Sequence, residues 1–298
     1  MLKRIVKCSL PNTMTTRRDF LTVAAGSLLL AGVPNLFGQD AEKKKEPWKI
    51  GICDWDLRAR GRIGSFAVAK ELGFEGVQVT YHPDGTDSLA VKENRPKYLA
   101  AAKENGVAIA SFCIGHLNQE PLATTREAEG WVADCLEAME EMEVEQVLIP
   151  FFGNGNMEEH KDQQPFVIEK FKRLAPIAER KKKILAIESY LTAEDHIKMI
   201  EAIGSDAVKV YYDTRNSLNV GYDIFSEMEL LGTKKLISQV HFKDNTRLGG
   251  GDIDFTKVRE TLGKAGYEGW GVVESSVSGD WKESHIENAQ FLKKLFGR

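Results

Sequence analysis

The architecture shows most clearly in four apolar runs near the end of the chain: ILAIES (184–189), VKVYYDT (208–214), ISQVHFKD (237–244) and WGVVES (270–275). Each run has the length and the β-branched or aromatic content of a buried strand. Within them, one potential metal ligand recurs at intervals of 25, 28 and 33 residues: Glu188, Asp213, His241 and Glu274. Each interval holds one strand and one helix, so parallel strands would bring all four side chains to one rim.

The same alternation of short apolar runs and amphipathic runs extends over residues 48–298 and predicts repeated βα units. Roughly 250 residues follow residue 47, which suits one α/β barrel. We therefore predict a single (β/α)8 TIM barrel; an open doubly wound sheet is the alternative, but no GxGxxG turn supports it. The eight predicted strands are 49–55, 76–81, 108–115, 146–151, 184–189, 208–214, 237–244 and 270–275.

The N-terminal segment resembles a targeting signal rather than a part of the folded domain. The sequence TRRDFL at 16–21 places a twin arginine before an apolar run that is short for a membrane span. We predict a Tat-type signal peptide at 1–38, a charged linker at 39–47, recognition by the Tat export machinery, and a periplasmic or otherwise exported protein. A cytoplasmic protein with an apolar first helix is the alternative, and cleavage of the signal stays open.

Charge and cysteine content exclude several classes of protein. The whole chain has a formal charge of −4, and residues 1–38 carry five basic and one acidic side chain, so their removal leaves about −8. An acidic chain does not favour binding to nucleic acid. The three cysteines after the signal, Cys53, Cys113 and Cys135, show neither disulfide nor metal spacing, so we expect buried thiols.

Three carboxylates that converge on one buried rim repel each other unless a cation neutralises them. Glu188, Asp213 and Glu274, joined by the imidazole of His241, therefore predict one divalent metal ion. Oxygen donors with a single nitrogen favour Mn²⁺, and Mg²⁺, Co²⁺ and Zn²⁺ are compatible. The absence of cysteine from the set argues against a structural zinc site.

Five motifs together carry a family resemblance: IES (187–189), YYDTRN (211–216), VHFKDNTR (240–247), GGGDIDF (249–255) and VVES (272–275). The chain resembles the xylose isomerase-like TIM barrels, the superfamily of sugar and sugar phosphate isomerases, epimerases and dehydratases that also includes endonuclease IV of the AP endonuclease family 2 type. The D-tagatose 3-epimerase and inosose dehydratase branches are closest in pattern. In these branches the metal ligands match Glu188, Asp213, His241 and Glu274.

The resemblance implies a metal-dependent isomerase or epimerase that acts on a small carbohydrate or keto-sugar. Glu188 and Glu274 would be the catalytic residues, one removing a proton next to a carbonyl and the other returning one through an enediolate. Dehydration or lyase chemistry on a keto-sugar is equally compatible with this scaffold. A non-catalytic, exported carbohydrate-binding barrel is the alternative from another class, and homo-oligomer formation stays open.

Five further residues are predicted substrate contacts. Glu194 and Arg247 follow from the resemblance, His82 and His116 from their positions after strands 2 and 3, and Asn216 from the position where epimerases carry a histidine. That asparagine can donate to a sugar oxygen but cannot titrate. The DNA-repair branch requires further histidines there and within the sequence 252–254, where this chain has DID, so phosphodiester repair is disfavoured.

Overall fold

The computed structural model describes residues 48–275 and 277–298, which form one closed barrel of eight parallel strands in chain order. β1 pairs with both β2 and β8, and this pairing closes the sheet. The predicted TIM barrel is confirmed. The strands are β1 (Lys49–Cys53), β2 (Gly76–Thr80), β3 (Ala108–Cys113), β4 (Gln146–Phe151), β5 (Ile184–Ser189), β6 (Val208–Asp213), β7 (Ile237–Phe242) and β8 (Trp270–Val273).

The α-helices alternate with the strands and surround the barrel. They are α1 (Ser65–Leu72), α2 (Arg95–Asn105), α3 (Ala128–Glu141), α4 (Gln164–Lys181), α5 (Ala193–Ile203), α6 (Thr214–Asn219), α7 (Ile224–Thr233), α8 (Phe255–Lys264) and α9 (Trp281–Leu295). Short 3₁₀ helices lie at Lys92–Asn94, Gly115–Asn118, Gly153–Gly155 and Lys161–Gln163. None of the helices in the described ranges is long and apolar enough to cross a membrane.

The predicted ends of six strands were one or two residues too late. β7, for example, ends at Phe242 rather than at residue 244, and β6 ends at Asp213 because the next residue, Thr214, begins α6. The residues just beyond the observed ends, such as Lys243 and Asp244 after β7, are mostly polar rim residues, and the predicted strands included them although they lie outside the sheet. The predicted signal (1–38) and linker (39–47) lie outside the described residues.

The N-terminal end of the barrel is closed by aromatic packing. Trp48 makes edge-to-face contacts with Tyr267 and Phe296, with ring centroids 5.0 and 5.2 Å apart. Gly76 at the start of β2 has no side chain because a Cβ atom there would overlap the ring of Trp270. This packing leaves the opposite, C-terminal rim to carry the polar side chains.

Candidate active site

The four predicted ligands converge on the C-terminal rim. Glu188 lies in β5, Asp213 ends β6, His241 lies in β7 and Glu274 directly follows β8. One potential ligand atom from each side chain lies within 4.8 Å of the others. The Nδ1 atom of His241 faces all three carboxylates, at 3.2 Å from Glu188 Oε1, 3.3 Å from Glu274 Oε2 and 3.6 Å from Asp213 Oδ2.

These four residues fit a single divalent metal ion. Asp213 Oδ2 is buried and accepts no hydrogen bond, although unpaired buried carboxylate oxygens are costly. Three carboxylate oxygens and one imidazole nitrogen form a donor set that divalent ions of hard or borderline character accept. Each ligand comes from a different strand end, so the closed sheet fixes their separation.

The cluster changes the proton affinities of its members. Burial raises the pKa of Glu188 to about 7, although the neighbouring imidazole of His241 opposes this shift. Burial alone would lower the pKa of His241, but the negative charges of Glu188 and Glu274 dominate and raise it to about 10. Burial disfavours the charged form of Asp213 as well, but Lys243 and His241 hold its pKa below the usual value.

Asp213 also caps a helix, and this contact fixes the orientation of its carboxylate. Its Oδ1 accepts hydrogen bonds from the backbone N–H groups of Arg215 and Asn216, at 2.8 and 2.7 Å, and so caps α6. Oδ2 is thereby directed towards the other ligands. The helix cap holds this carboxylate in place without help from a metal ion.

Lys243 and Trp55 complete the surroundings of Glu274. The Nζ atom of Lys243 donates to Glu274 Oε2 at 2.9 Å, and the indole N–H of Trp55 donates to Oε1 at 3.1 Å. Lys243 also donates to the side-chain oxygen of Asn216 at 3.2 Å. Strand alternation places Lys243 on the same side of the sheet as His241, two residues earlier.

A cavity of about 290 Å³ opens above the cluster. Its size lies at the lower end of the range for small-molecule sites. Glu188 and Glu274 line the cavity, whereas Asp213 and His241 are buried outside its lining. The other lining residues are Trp55, Arg60, Thr80, Cys113, Gly115, Asn118, Gln119, Leu148, Pro150, Phe152, Tyr190, Asn216 and Lys243.

Of the five predicted substrate contacts, the structure brings only Asn216 to the cavity, where it also donates to Glu188 Oε1 at 3.3 Å. His82 bonds Asp84 and packs at 4.7 Å against the ring of His116, outside the cavity lining. Glu194 is exposed in the first turn of α5. Arg247 pairs with Glu287 at 3.0 Å on the surface.

The acidic residues in the sequence DID at 252–254 have structural partners. Asp252 pairs with the buried Arg215, which also binds Asp244, and Asp254 caps α8. Both side chains therefore support the loop between β7 and α8. Cys53, Cys113 and Cys135 are buried free thiols, as expected.

A buried amide beneath the cluster was not found from the sequence. Gln78, in β2, accepts a hydrogen bond from the Nε2 atom of His241 at 2.9 Å through its Oε1 atom. The sequence VQVT offered one signal, a polar residue in an otherwise apolar strand, which is rare unless the residue is hydrogen-bonded.

Comparisons with known proteins agree with this architecture. The family described as xylose isomerase-like TIM barrel matches residues 66–295. No curated protein matches the chain by sequence. Among solved structures, the 3-keto-D-glucoside 4-epimerase of E. coli is 19% identical, with a TM-score of 0.69 over 83% of this chain and 99% of that chain.

Two further sugar epimerases share the fold. D-psicose 3-epimerase from Clostridium cellulolyticum H10, solved with D-tagatose, is 16% identical, with a TM-score of 0.68 over 83% of this chain and 99% of that chain. An L-ribulose 3-epimerase is 18% identical, with a TM-score of 0.68 over 84% and 94%. Such identities establish the common fold, and the sequence match over most of the barrel establishes the family: the chain belongs to the xylose isomerase-like TIM barrels.

Proposed function

We propose that this protein is a divalent-metal-dependent epimerase or isomerase of a small keto-sugar. The main support is the convergence of Glu188, Asp213, His241 and Glu274 beneath a cavity of about 290 Å³. The three similar folds described above are sugar epimerases. Mn²⁺ is the proposed metal because oxygen donors outnumber nitrogen donors three to one.

The positions of the four candidate ligands support different roles for them, two in catalysis and two in metal binding alone. Glu188 and Glu274 line the cavity and can reach a substrate, whereas Asp213 and His241 lie below them and can only bind the metal. The metal ion would polarise the substrate carbonyl and its neighbouring hydroxyl. The two glutamates are therefore the proposed acid and base.

Proton transfer follows from the surroundings of each glutamate. Glu188, which lines the cavity, can take a proton from the carbon next to the carbonyl. Glu274, held by Trp55 and Lys243, would take up a proton from solvent and give it to the opposite face of that carbon, while Glu188 would release its proton to solvent. Return to the opposite face inverts the carbon, which is epimerisation.

The test is proton NMR in D₂O with a panel of ketohexoses and 3-keto-glucosides, using protein of measured metal content. We expect solvent deuterium at one carbon together with the appearance of its epimer. Glu188→Gln and Glu274→Gln should each lower the rate by at least about 100-fold. Glu227→Gln is the matched control, since this buried glutamate bonds Ala193 and Tyr212 away from the cavity.

Other outcomes identify other functions. Loss of water or of an aglycone without epimer formation would show a lyase on the same scaffold. Binding of a sugar by metal-free protein, without any exchange, would show a carbohydrate-binding barrel. Either result would replace the epimerase proposal.

We also propose export through the Tat pathway, on the basis of Arg17 and Arg18 before an apolar run. Full-length protein should appear in the periplasmic fraction of a Gram-negative host. Replacing both arginines by lysine should keep the protein in the cytoplasm. Equal distribution of both proteins would contradict this proposal.

A further inference from the structure

A chain of buried side chains crosses the barrel interior beneath the metal ligands and ends at His241. It consists of Gln239 in β7, Ser111 in β3 and Gln78 in β2, and each of the three is fully buried. Gln239 Nε2 donates to the backbone carbonyl of Ala110 at 3.3 Å. Ser111 Oγ donates to Gln239 Oε1 at 2.7 Å, and Gln78 Nε2 donates to Ser111 Oγ at 2.9 Å.

The hydrogen bond from Gln239 to the carbonyl of Ala110 fixes the direction of every other hydrogen bond in this series. A backbone carbonyl can only accept, so the amide nitrogen of Gln239 faces Ala110 and its oxygen faces Ser111. The single hydroxyl hydrogen of Ser111 is then committed to Gln239. Gln78 must therefore present its NH₂ group to Ser111 and its oxygen to His241.

That oxygen determines which ring nitrogen of His241 carries a hydrogen. Gln78 Oε1 lies 2.9 Å from His241 Nε2 and also accepts from the thiol of Cys53 at 3.3 Å. An amide oxygen only accepts, so Nε2 must carry a hydrogen whether the ring is protonated or neutral, and Nδ1 is the atom that faces Glu188, Asp213 and Glu274.

We infer that Gln239, Ser111 and Gln78 are positioning residues that fix His241 in its Nε2–H form and so direct Nδ1 at the cation. They touch neither the cavity nor the other ligands. This inference rests on the metal site of the proposed function. Partners of this kind around metal-binding histidines commonly change metal affinity by 10–100-fold.

The test uses ring-¹⁵N-labelled histidine in the metal-free and the Zn²⁺-loaded protein, because Zn²⁺ is diamagnetic. The chain has six histidines, and His241→Asn identifies the His241 signals by their loss. In the wild type we expect a slowly exchanging Nε2 proton in both states and a change on Zn²⁺ addition mainly at Nδ1. Competition with a chromophoric chelator measures the Zn²⁺ affinity.

Ser111→Ala removes one oxygen two hydrogen bonds away from His241, and Gln78→Leu removes the acceptor itself. We expect a shifted, faster-exchanging Nε2 proton in both variants. Zn²⁺ should bind about 10-fold more weakly to Ser111→Ala and up to about 100-fold more weakly to Gln78→Leu. Ser238→Ala is the matched control, because the hydroxyl of this β7 serine donates to the carbonyl of Val210 at 3.1 Å rather than to Gln239, Ser111 or Gln78.

The outcomes separate the two proposals. If the wild type binds no divalent ion, the proposed function fails, while the metal-free spectra still report the His241 hydrogen bond. If the wild type binds Zn²⁺ and both variants match it in affinity and in the Nε2 signal, the positioning role is refuted. A fall in melting temperature alone, with an unchanged Nε2 signal, would likewise refute it. Should Gln78→Leu fail to fold, Ser111→Ala decides.

Discussion

The ammonium group of Lys243 lies 2.9 Å from Oε2 of Glu274 and 3.6 Å from Oδ2 of Asp213. When no metal ion is bound, Lys243 and the protonated imidazole of His241 are the positive charges beside the carboxylates. Burial would lower the pKa of Lys243, but the charges of Asp213, Glu274 and Glu188 raise it, so the ammonium form persists at neutral pH. Lys243 thus stabilises the carboxylates, while its charge opposes a second cation nearby.

We expect Lys243→Met to lower the stability of the metal-free protein and to tighten divalent metal binding. Removal of one partner from a mostly buried charge cluster leaves its carboxylates uncompensated, which should cost roughly 2 kcal/mol. Mn²⁺ should then raise the melting temperature of the variant more than that of the wild type. Thermal denaturation with and without Mn²⁺ measures both effects.

Lys170→Met is a suitable control for Lys243→Met. The Nζ atom of Lys170 donates to the backbone carbonyl of Thr125 at 2.8 Å, so its loss removes a lysine hydrogen bond without altering the cluster. An Mn²⁺-dependent shift that is the same in all three proteins would argue against the charge role of Lys243.

The two oxygens of Asp213 allow its structural and metal-binding tasks to be separated. Asparagine caps helices about as well as aspartate, so Asp213→Asn should retain the start of α6 while it loses most metal affinity. Asp213→Ala should lose the metal and also about 1 kcal/mol of cap stability. Metal analysis and urea denaturation of the metal-free proteins distinguish the variants, and equal stabilities of the two would show that the cap contributes little.

The sequence was sufficient for the barrel because its signals are local. Each strand is a short apolar run, and β4 and β5 have the predicted bounds. The convergence of the four candidate ligands followed from the same pattern, because the end of a strand holds its side chain at the rim regardless of the path of the loops. The ends of the other strands were harder to predict. Asp213, for example, caps α6, so β6 ends there although the next residue, the β-branched Thr214, is of a type that favours strands.

Contacts that depend on loop paths were harder to predict. Glu194 and Arg247 were predicted from the family resemblance, and the structure places both outside the cavity lining. Gln78 was missed because its role depends on a contact across the barrel with His241, which one strand alone does not specify. Among the aromatic residues near the C-terminal rim, Trp55 and Phe152 line the cavity, whereas Tyr81 and Phe151 are buried in the core.

The buried His196 should make the folded protein less stable in mild acid. Burial lowers its pKa to about 4 in the folded protein, where it contacts Ser189 Oγ at 2.9 Å and the carbonyl of Thr192 at 3.0 Å. The unfolded chain, with a pKa near 6.5, binds the proton first, so stability falls as pH drops from about 6.5 towards 4. The contribution of His196 should decrease by about 2 kcal/mol between pH 7 and 5.

The measurement is urea denaturation of wild type and His196→Gln at several pH values, because other groups titrate in both proteins and cancel in the difference. We expect the advantage of the wild type to shrink steadily below pH 6.5. His160→Gln, in the loop before α4, serves as the control. A difference between wild type and His196→Gln that is independent of pH would disprove the assignment.

Two glycines should respond to alanine with opposite signs. A Cβ atom at Gly251 would overlap the carboxylate of Asp244, which is buried and held by the equally buried Arg215, so neither side chain can move away. Gly251→Ala should therefore destabilise the protein by about 1–3 kcal/mol. Gly130 is exposed within α3 and has free space around it, so Gly130→Ala should stabilise the protein by about 0.5–1 kcal/mol. Urea denaturation of both variants tests the pair, and a Gly251→Ala protein as stable as the wild type would mean that the loop between β7 and α8 can shift to relieve the overlap.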